Sequence, residues 1–115
     1  MTAYKRGSIV LVNFNPQKRS QEVGKTRPAI ILSDSELNAI LDLITVIPLT
    51  TNLIDDAEPL RVRIPPRQNL KEPSDAMIEQ IRSVAKSRIG ESIGELDDEE
   101  LVKVEVGVKA MLGFS

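Results

Sequence analysis

Short aliphatic runs, each ended by proline or a polar cluster, set what this chain can fold into. Ser8–Phe14 (SIVLVNF) is stopped by Asn15 and Pro16, and Pro28–Ser33 (PAIILS) opens on a proline. Leu43–Leu49 (LITVIPL) runs into Thr50, Thr51 and Asn52. Leu60–Ile64 (LRVRI) alternates apolar and charged residues, the pattern of a half-buried strand, before Pro65 and Pro66. Ala76–Ile81 and Ser83–Ala85 read as one more strand with a bulge between them. Ile and Val together number 22, against three aromatics, Tyr4, Phe14 and Phe114. β-Branched residues favour strands, so the core is expected to be β-rich and aliphatic. The 115 residues suit a single domain spanning 1–115, large enough to bury about two-thirds of its unfolded surface.

Two segments depart from the strand pattern. Ser33-Asp34-Ser35-Glu36 opens a short helix that Asp34 or Ser35 can cap, with Leu37, Ile40 and Leu41 at helical spacing. Near the C-terminus, Asp97 as N-cap and Glu100 three residues on form a helix start signal. Leu101, Val104, Val108, Met111 and Leu112 then follow one face. Val102, Val104, Val106 and Val108 also alternate as a strand would, and Gly107 costs a helix about 1 kcal/mol relative to alanine. The specific start signal and the length favour the helix. The expected fold is a β-rich α+β domain. It is a strongly bent sheet or small barrel, with a short helix after strand two and a C-terminal helix.

Composition removes several chemistries. The chain has no cysteine and no histidine. Cysteine nucleophiles, cysteine zinc sites, serine–histidine triads and two-histidine ribonuclease chemistry are therefore excluded. No apolar run nears the ~20 residues of a membrane span, and residues 1–15 lack the features of a signal peptide, so a cytoplasmic location is expected. Net charge is −2, but residues 1–33 carry +5 and residues 82–94 carry +2. If these stretches meet they form a cationic face; otherwise they are a mixed, solvated surface.

A long polar loop, Gln17 to Thr26, precedes strand two and is a candidate functional loop. Antiparallel pairing of strands two and three, the commoner arrangement, brings Arg27 beside Thr50 and Thr51, with Glu22 and Lys25 on the same rim. Arginine can take two phosphate oxygens at once, threonine can donate to the same oxygens, and a carboxylate can accept a proton from an attacking hydroxyl. The set fits cleavage of RNA by its own 2′-hydroxyl. The plainer alternative is a strand-end ion pair between Arg27 and Glu22, with Thr50 as a turn residue.

Four motifs in order carry a resemblance. Lys5-Arg6-Gly7-Ser8-Ile9-Val10-Leu11-Val12-Asn13-Phe14-Asn15-Pro16 resembles the opening of the MazF/PemK family of toxin endoribonucleases. Glu22-Val23-Gly24-Lys25-Thr26-Arg27-Pro28-Ala29-Ile30-Ile31-Leu32-Ser33 resembles its signature. Ile47-Pro48-Leu49-Thr50-Thr51 and Ala76-Met77-Ile78-Glu79-Gln80-Ile81-Arg82-Ser83-Val84-Ala85 resemble the next two. The resemblance implies an SH3-like barrel of the CcdB/MazF type and a homodimer that cuts single-stranded RNA at short sequences. Cleavage would use neither metal nor cofactor and leave 2′,3′-cyclic phosphate and 5′-hydroxyl ends. It also implies a cognate antitoxin whose flexible tail covers the RNA groove, and no membrane.

Carried over, the resemblance matches Arg27 and Thr50 to catalysis, with Glu22 as the loop glutamate and Glu79 and Gln80 as the acid-Gln pair. Thr51 remains an alternative to Thr50. The chain has no tryptophan and few aromatics on which bases could stack, and it lacks the histidine that PemK-like members use. Base recognition then falls to Gln80, Asn13, Asn15 and backbone groups, and phosphate contacts to Lys18, Arg19, Lys25 and Arg82. The alternatives are a gyrase-poisoning toxin of the same fold and a catalytically inactive binding module. Arg27, Thr50 and Glu22 together favour the enzyme. An SH3-like peptide adaptor needs aromatic walls that three aromatics cannot supply.

Overall fold

The computed structural model describes residues 4–14 and 26–114. The elements run β1 (Ser8–Asn13), β2 (Thr26–Ile31), α1 (Ser35–Asn38), β3 (Leu43–Thr50), β4 (Arg61–Ile64), β5 (Ser74–Met77), β6 (Arg82–Ala85), β7 (Ile89–Glu95) and α2 (Asp98–Leu112). Among the described residues the seven strands form one antiparallel sheet in the order β4-β5-β3-β2-β1-β7, with β6 also beside β3. No described helix is long and apolar enough to cross a membrane.

Both faces of the sheet are buried, which is why the runs are apolar at successive positions. Along a strand the side chains alternate between faces. Ile9 and Leu11 of β1, Ile30 of β2, and Ile47 and Leu49 of β3 join one core, covered by Val104, Val108 and Met111 of α2. Val10 and Val12, Ala29 and Ile31, and Ile44 and Val46 join the other, flanked by Tyr4, Phe14 and Ile89.

α2 takes the helical reading of the C-terminal segment. Asp97 and Glu100 form a capping box, and Gly113, at φ 82°, ends the helix in the left-handed conformation. Arg67 pairs with Glu100, and Arg6 Nη2 donates to Glu105 Oε2 at 2.5 Å. These bonds fasten the β4–β5 connection and the N-terminal segment to the helix. Gly107 is buried against Pro59 and Ile78. A Cβ there would lie 2.4 Å from the Pro59 carbonyl oxygen and 3.1 Å from Ile78 Cγ1.

Three sequence expectations need correction. The strand expected over Ala76–Ile81 is instead β5, ending at Met77, followed by a 3-10 turn over Ile78–Gln80. The turn falls where β3 has Ile47 and Pro48, which pair with β2 but not with β5 or β6. Proline has no N–H to offer a ladder. The short helix is only four residues long. Asp34 caps it, accepting from the Glu36 and Leu37 N–H groups. Leu37, Ile40 and Leu41 stay exposed, Ile40 to 75%. Its buried anchor is polar: the Asn38 side-chain amide donates to the Tyr4 and Ser33 carbonyls at 2.8 and 3.0 Å. Strand β7 (IGESIGE) carries two glycines and two glutamates, which hid it from a periodicity reading. It pairs with β1 through irregular register.

A buried charge cluster ties β3, β4 and β5 together. Asp75 is 1% exposed. Its carboxylate accepts from Arg63 Nε at 2.5 Å, Ile54 N at 2.9 Å and Arg61 Nη1 at 3.2 Å. Arg61 Nη1 also donates to the Asn52 carbonyl at 3.1 Å. The β3–β4 connection is thus held to β5 by one carboxylate. Burial alone would push the Asp75 carboxyl up; the Arg63 hydrogen bond, the Ile54 N–H and Arg61 outweigh it and hold the group below the ordinary carboxylate range.

Two stability outcomes follow from this packing. Helix propensity alone would make Gly107→Ala stabilising by about 1 kcal/mol. The clash with Pro59 should win, giving a net loss of about 1–3 kcal/mol in urea unfolding. Asp75→Asn should lower the melting temperature by several degrees at neutral pH. Because the folded Asp75 carboxyl lies below its unfolded value, its contribution is full above about pH 4 and fades as pH falls further. Melting curves of the variant and the parent should converge in acid; a constant gap would show that the charge is not what matters.

Candidate functional site

The β2–β3 register fixes the site. Ala29 pairs with Pro48, Ile30 with Ile47 and Ile31 with Val46. Two residues beyond the Ala29–Pro48 pair stand Arg27 on β2 and Thr50 on β3. They line one cleft of about 340 Å³ together with Pro28, Thr51, Asn52 and Ser74. Arg27 is exposed at the start of its strand and lies opposite Val12 of β1. No carboxylate of the described residues forms an ion pair with it. Thr50 is half-buried, and its Oγ1 accepts from Asn52 N at 3.1 Å, which leaves the hydroxyl proton able to donate. Thr51 lies just beyond β3 and is exposed.

The row continues across the sheet. Thr50 pairs with Asp75 on β5, and Asp75 with Arg63 on β4. Directly paired residues share a face. Sequence reasoning missed this cluster. Its signal was present in the alternation of β4, which puts Arg61 and Arg63 on one face and so calls for a carboxylate opposite. The neighbouring cleft, about 610 Å³, is lined by Asp55, Asp56, Glu58, Arg61, Arg63 and Asp75. Asp55 accepts from Arg63 Nη2 at 2.8 Å, so these cations are already matched by acids.

The other sequence candidates are dispersed. Asn13 pairs with Thr26 across β1–β2, and its carbonyl accepts from Arg88 Nη1 at 3.1 Å. Glu79 and Gln80 are exposed on the 3-10 turn, and Arg82 starts β6. None of these three lines the Arg27 cleft. Glu22, Asn15, Lys18, Arg19 and Lys25 lie outside the described residues. The two basic stretches do meet. Arg82 sits over the Phe14 ring at 5.1 Å and Lys86 over the Tyr4 ring at 5.3 Å. Two of the three aromatics are therefore covered by cations.

The arrangement, a guanidinium with no ion pair among the described residues and a hydroxyl at one strand-end cleft, can hold an anionic oxygen from two sides. A family model described as PemK-like, MazF-like toxin of type II toxin-antitoxin system matches residues 5–112. The probable endoribonuclease MazF of Mycolicibacterium smegmatis is 30% identical over 113 residues, covering 96% of this chain and 98% of that protein. Endoribonuclease MazF9 of Mycobacterium tuberculosis is 32% identical over 114 residues, covering 94% and 95%. Among solved structures, MazE-MazF (Form-III) from Deinococcus radiodurans aligns with a TM-score of 0.78 and 26% identity over 98% of this chain and 99% of that one. The Mycobacterium tuberculosis toxin MazF-mt6 aligns at 0.77 over 94% and 98%, with 18% identity, a likeness of fold. The small antiparallel barrel and the matched span agree: the chain belongs to the PemK-like, MazF-like toxins of type II toxin-antitoxin systems.

Proposed function

We propose that this toxin, an endoribonuclease, cleaves single-stranded RNA at the Arg27–Thr50 cleft by attack of the substrate's own 2′-hydroxyl. The observation that carries the reading is the meeting of Arg27 and Thr50 at one cleft. The 2′-oxygen bonds to phosphorus while the bond from phosphorus to the 5′-oxygen breaks. Glu22 takes the proton from the 2′-hydroxyl, and the 5′-oxygen leaves as a hydroxyl by taking a proton from solvent water. The ends are a 2′,3′-cyclic phosphate and a 5′-hydroxyl. Arg27 receives the charge that builds on the non-bridging oxygens, and a planar two-pronged donor suits it better than a point charge. Thr50 adds a neutral hydrogen bond, with Thr51 beside it. Lys18, Arg19, Lys25 and Arg82 meet phosphates, and Asn13, Asn15, Glu79 and Gln80 meet bases.

The reading extends to partners. MazE-MazF complexes are solved for the Deinococcus radiodurans protein, which supports a cognate antitoxin here, bound through a flexible tail. Leu37, Ile40, Leu41 and Leu43 form an exposed apolar run of the kind that marks an interface, which supports a homodimer. The working compartment is the cytoplasm, where mRNA is the substrate.

Single-turnover cleavage of a long unstructured RNA tests the chemistry. Arg27→Ala should lose on the order of 10²–10³ in rate with its melting temperature nearly unchanged, since the side chain is exposed. Arg27→Lys should recover little of that loss, and Thr50→Ala should lose less. Cutting should persist in EDTA, and DNA of the same sequence should stay intact because it lacks the nucleophile. An Arg27→Ala protein that cuts at the parent rate, or a requirement for magnesium, would overturn the mechanism. For the assembly, sedimentation equilibrium at micromolar concentration should give twice the 12.7 kDa chain mass.

A further inference from the structure

A second cleft, of about 380 Å³, opens beside the first and shares Pro28, Thr51 and Ser74 with it. Its location follows from the strand order. Leu11 pairs with Pro28 across β1–β2, and β7 lies along the other edge of β1, bringing Glu91 and Ile93 alongside. The β4–β5 connection folds over β7, held by the hydrogen bond from Asn69 N to the Ile93 carbonyl at 2.9 Å. That fold seats Leu70 in the cleft wall and leaves Asn69, Lys71 and Glu72 exposed on its rim.

We infer that this second cleft is a base pocket for a nucleotide flanking the scissile phosphate, selective for bases that carry an exocyclic amino group. The inference rests on the RNA-cleavage reading of the first cleft. Continuity supports it: a strand whose phosphate sits between Arg27 and Thr50 has its neighbouring base within reach of the shared wall at Pro28 and Thr51. The lining chemistry supports it too. Leu11, Pro28, Leu70 and Ile93 are flat or branched apolar groups that can contact the faces of a base. Such apolar contact replaces aromatic stacking in a chain where Tyr4 and Phe14 are already covered by cations.

The rim decides between phosphate and base, and then among bases. A phosphate there would meet two carboxylates, Glu72 and Glu91, against the single ammonium of Lys71, so the phosphate belongs in the first cleft. Carboxylates only accept. They match the amino groups of cytosine, adenine and guanine, and the Asn69 amide can pair with adenine in two-point fashion. Uracil has no amino group and offers a single N–H donor.

The test uses the full-length protein, a randomised single-stranded RNA pool and mapping of the cut ends. The expected parental profile shows one position next to the cut that disfavours uracil. Glu91→Gln and Glu72→Gln, both isosteric changes of exposed side chains, should weaken that preference on the order of tenfold at that position alone. KM for the preferred sequence should rise accordingly. Binding of an oligonucleotide made uncleavable by a 2′-deoxy residue at the cut gives a second readout, since it reports the pocket without chemistry. Variants with the parental profile and affinity, or a loss spread evenly over all positions, would overturn the pocket. The two readings fail separately. If Arg27→Ala cuts normally while the glutamate variants shift the profile, the catalytic reading falls and the pocket stands. If Arg27→Ala is dead and the profiles are unmoved, the pocket falls.

Discussion

The fold depends on the register of β3. Its eight residues pair with β2 on one edge and with β6 and then β5 on the other. Both faces of the strand are buried, Ile44 and Val46 in one core, Ile47 and Leu49 in the other. A slip by one residue would exchange the two sets and turn Thr50 to the opposite face. Two aliphatic cores therefore guard one alignment, and that alignment sets Thr50 beside Arg27. The meeting of Arg27 with Thr50 at the candidate cleft is thus a consequence of packing.

Much of this was legible in the sequence because it is locally encoded. The β-branched runs at 8–14, 28–33, 43–49 and 60–64 each overlap a strand, and the capping signal at Asp97 outweighed the valine alternation at 102–108. The preference for antiparallel pairing was enough to bring Arg27 to Thr50. What escaped is set by tertiary contact. In β7 the glycines and glutamates break the apolar period, and the strand exists because β1 has an open edge to pair with. At α1 the leucine and isoleucine spacing pointed inward, while the fold buried Asn38 to satisfy the Tyr4 and Ser33 carbonyls. At 78–80 the expected strand lost its ladder opposite Pro48 and became a 3-10 turn. Of the candidate cleft, the meeting of Arg27 with the threonines was legible. Asp75 was not, because its partners lie on other strands.

Charge is informative here through pairing and not through its total. Arg6, Arg61, Arg63 and Arg67 are engaged by acids, and Arg82 and Lys86 lie on aromatic rings. Exposed pairs of this kind contribute little apiece, whereas the Asp75 cluster is buried enough to fasten a connection. Arg27 differs from these cations in facing a cleft without an acid of the described residues beside it. A sequence lists all of them alike; only the strand pairings show which cations hold the fold and that Arg27 stands at a cleft instead.

An exposed arginine is a poor catalyst if it must be ordered at each turnover, because its long side chain loses rotamer freedom on binding. The fold reduces that cost from two sides. The β1–β2 and β2–β3 ladders fix the backbone under Arg27, which leaves only the side chain to order. Across the cleft, the turn after Thr50 is held by Asp75 through Ile54 N and by Arg61 through the Asn52 carbonyl. Donors held before the substrate arrives need little reorganisation as charge develops. The buried carboxylate that sequence reasoning passed over thus bears on the cleft without lining it, by fastening the turn that follows Thr50.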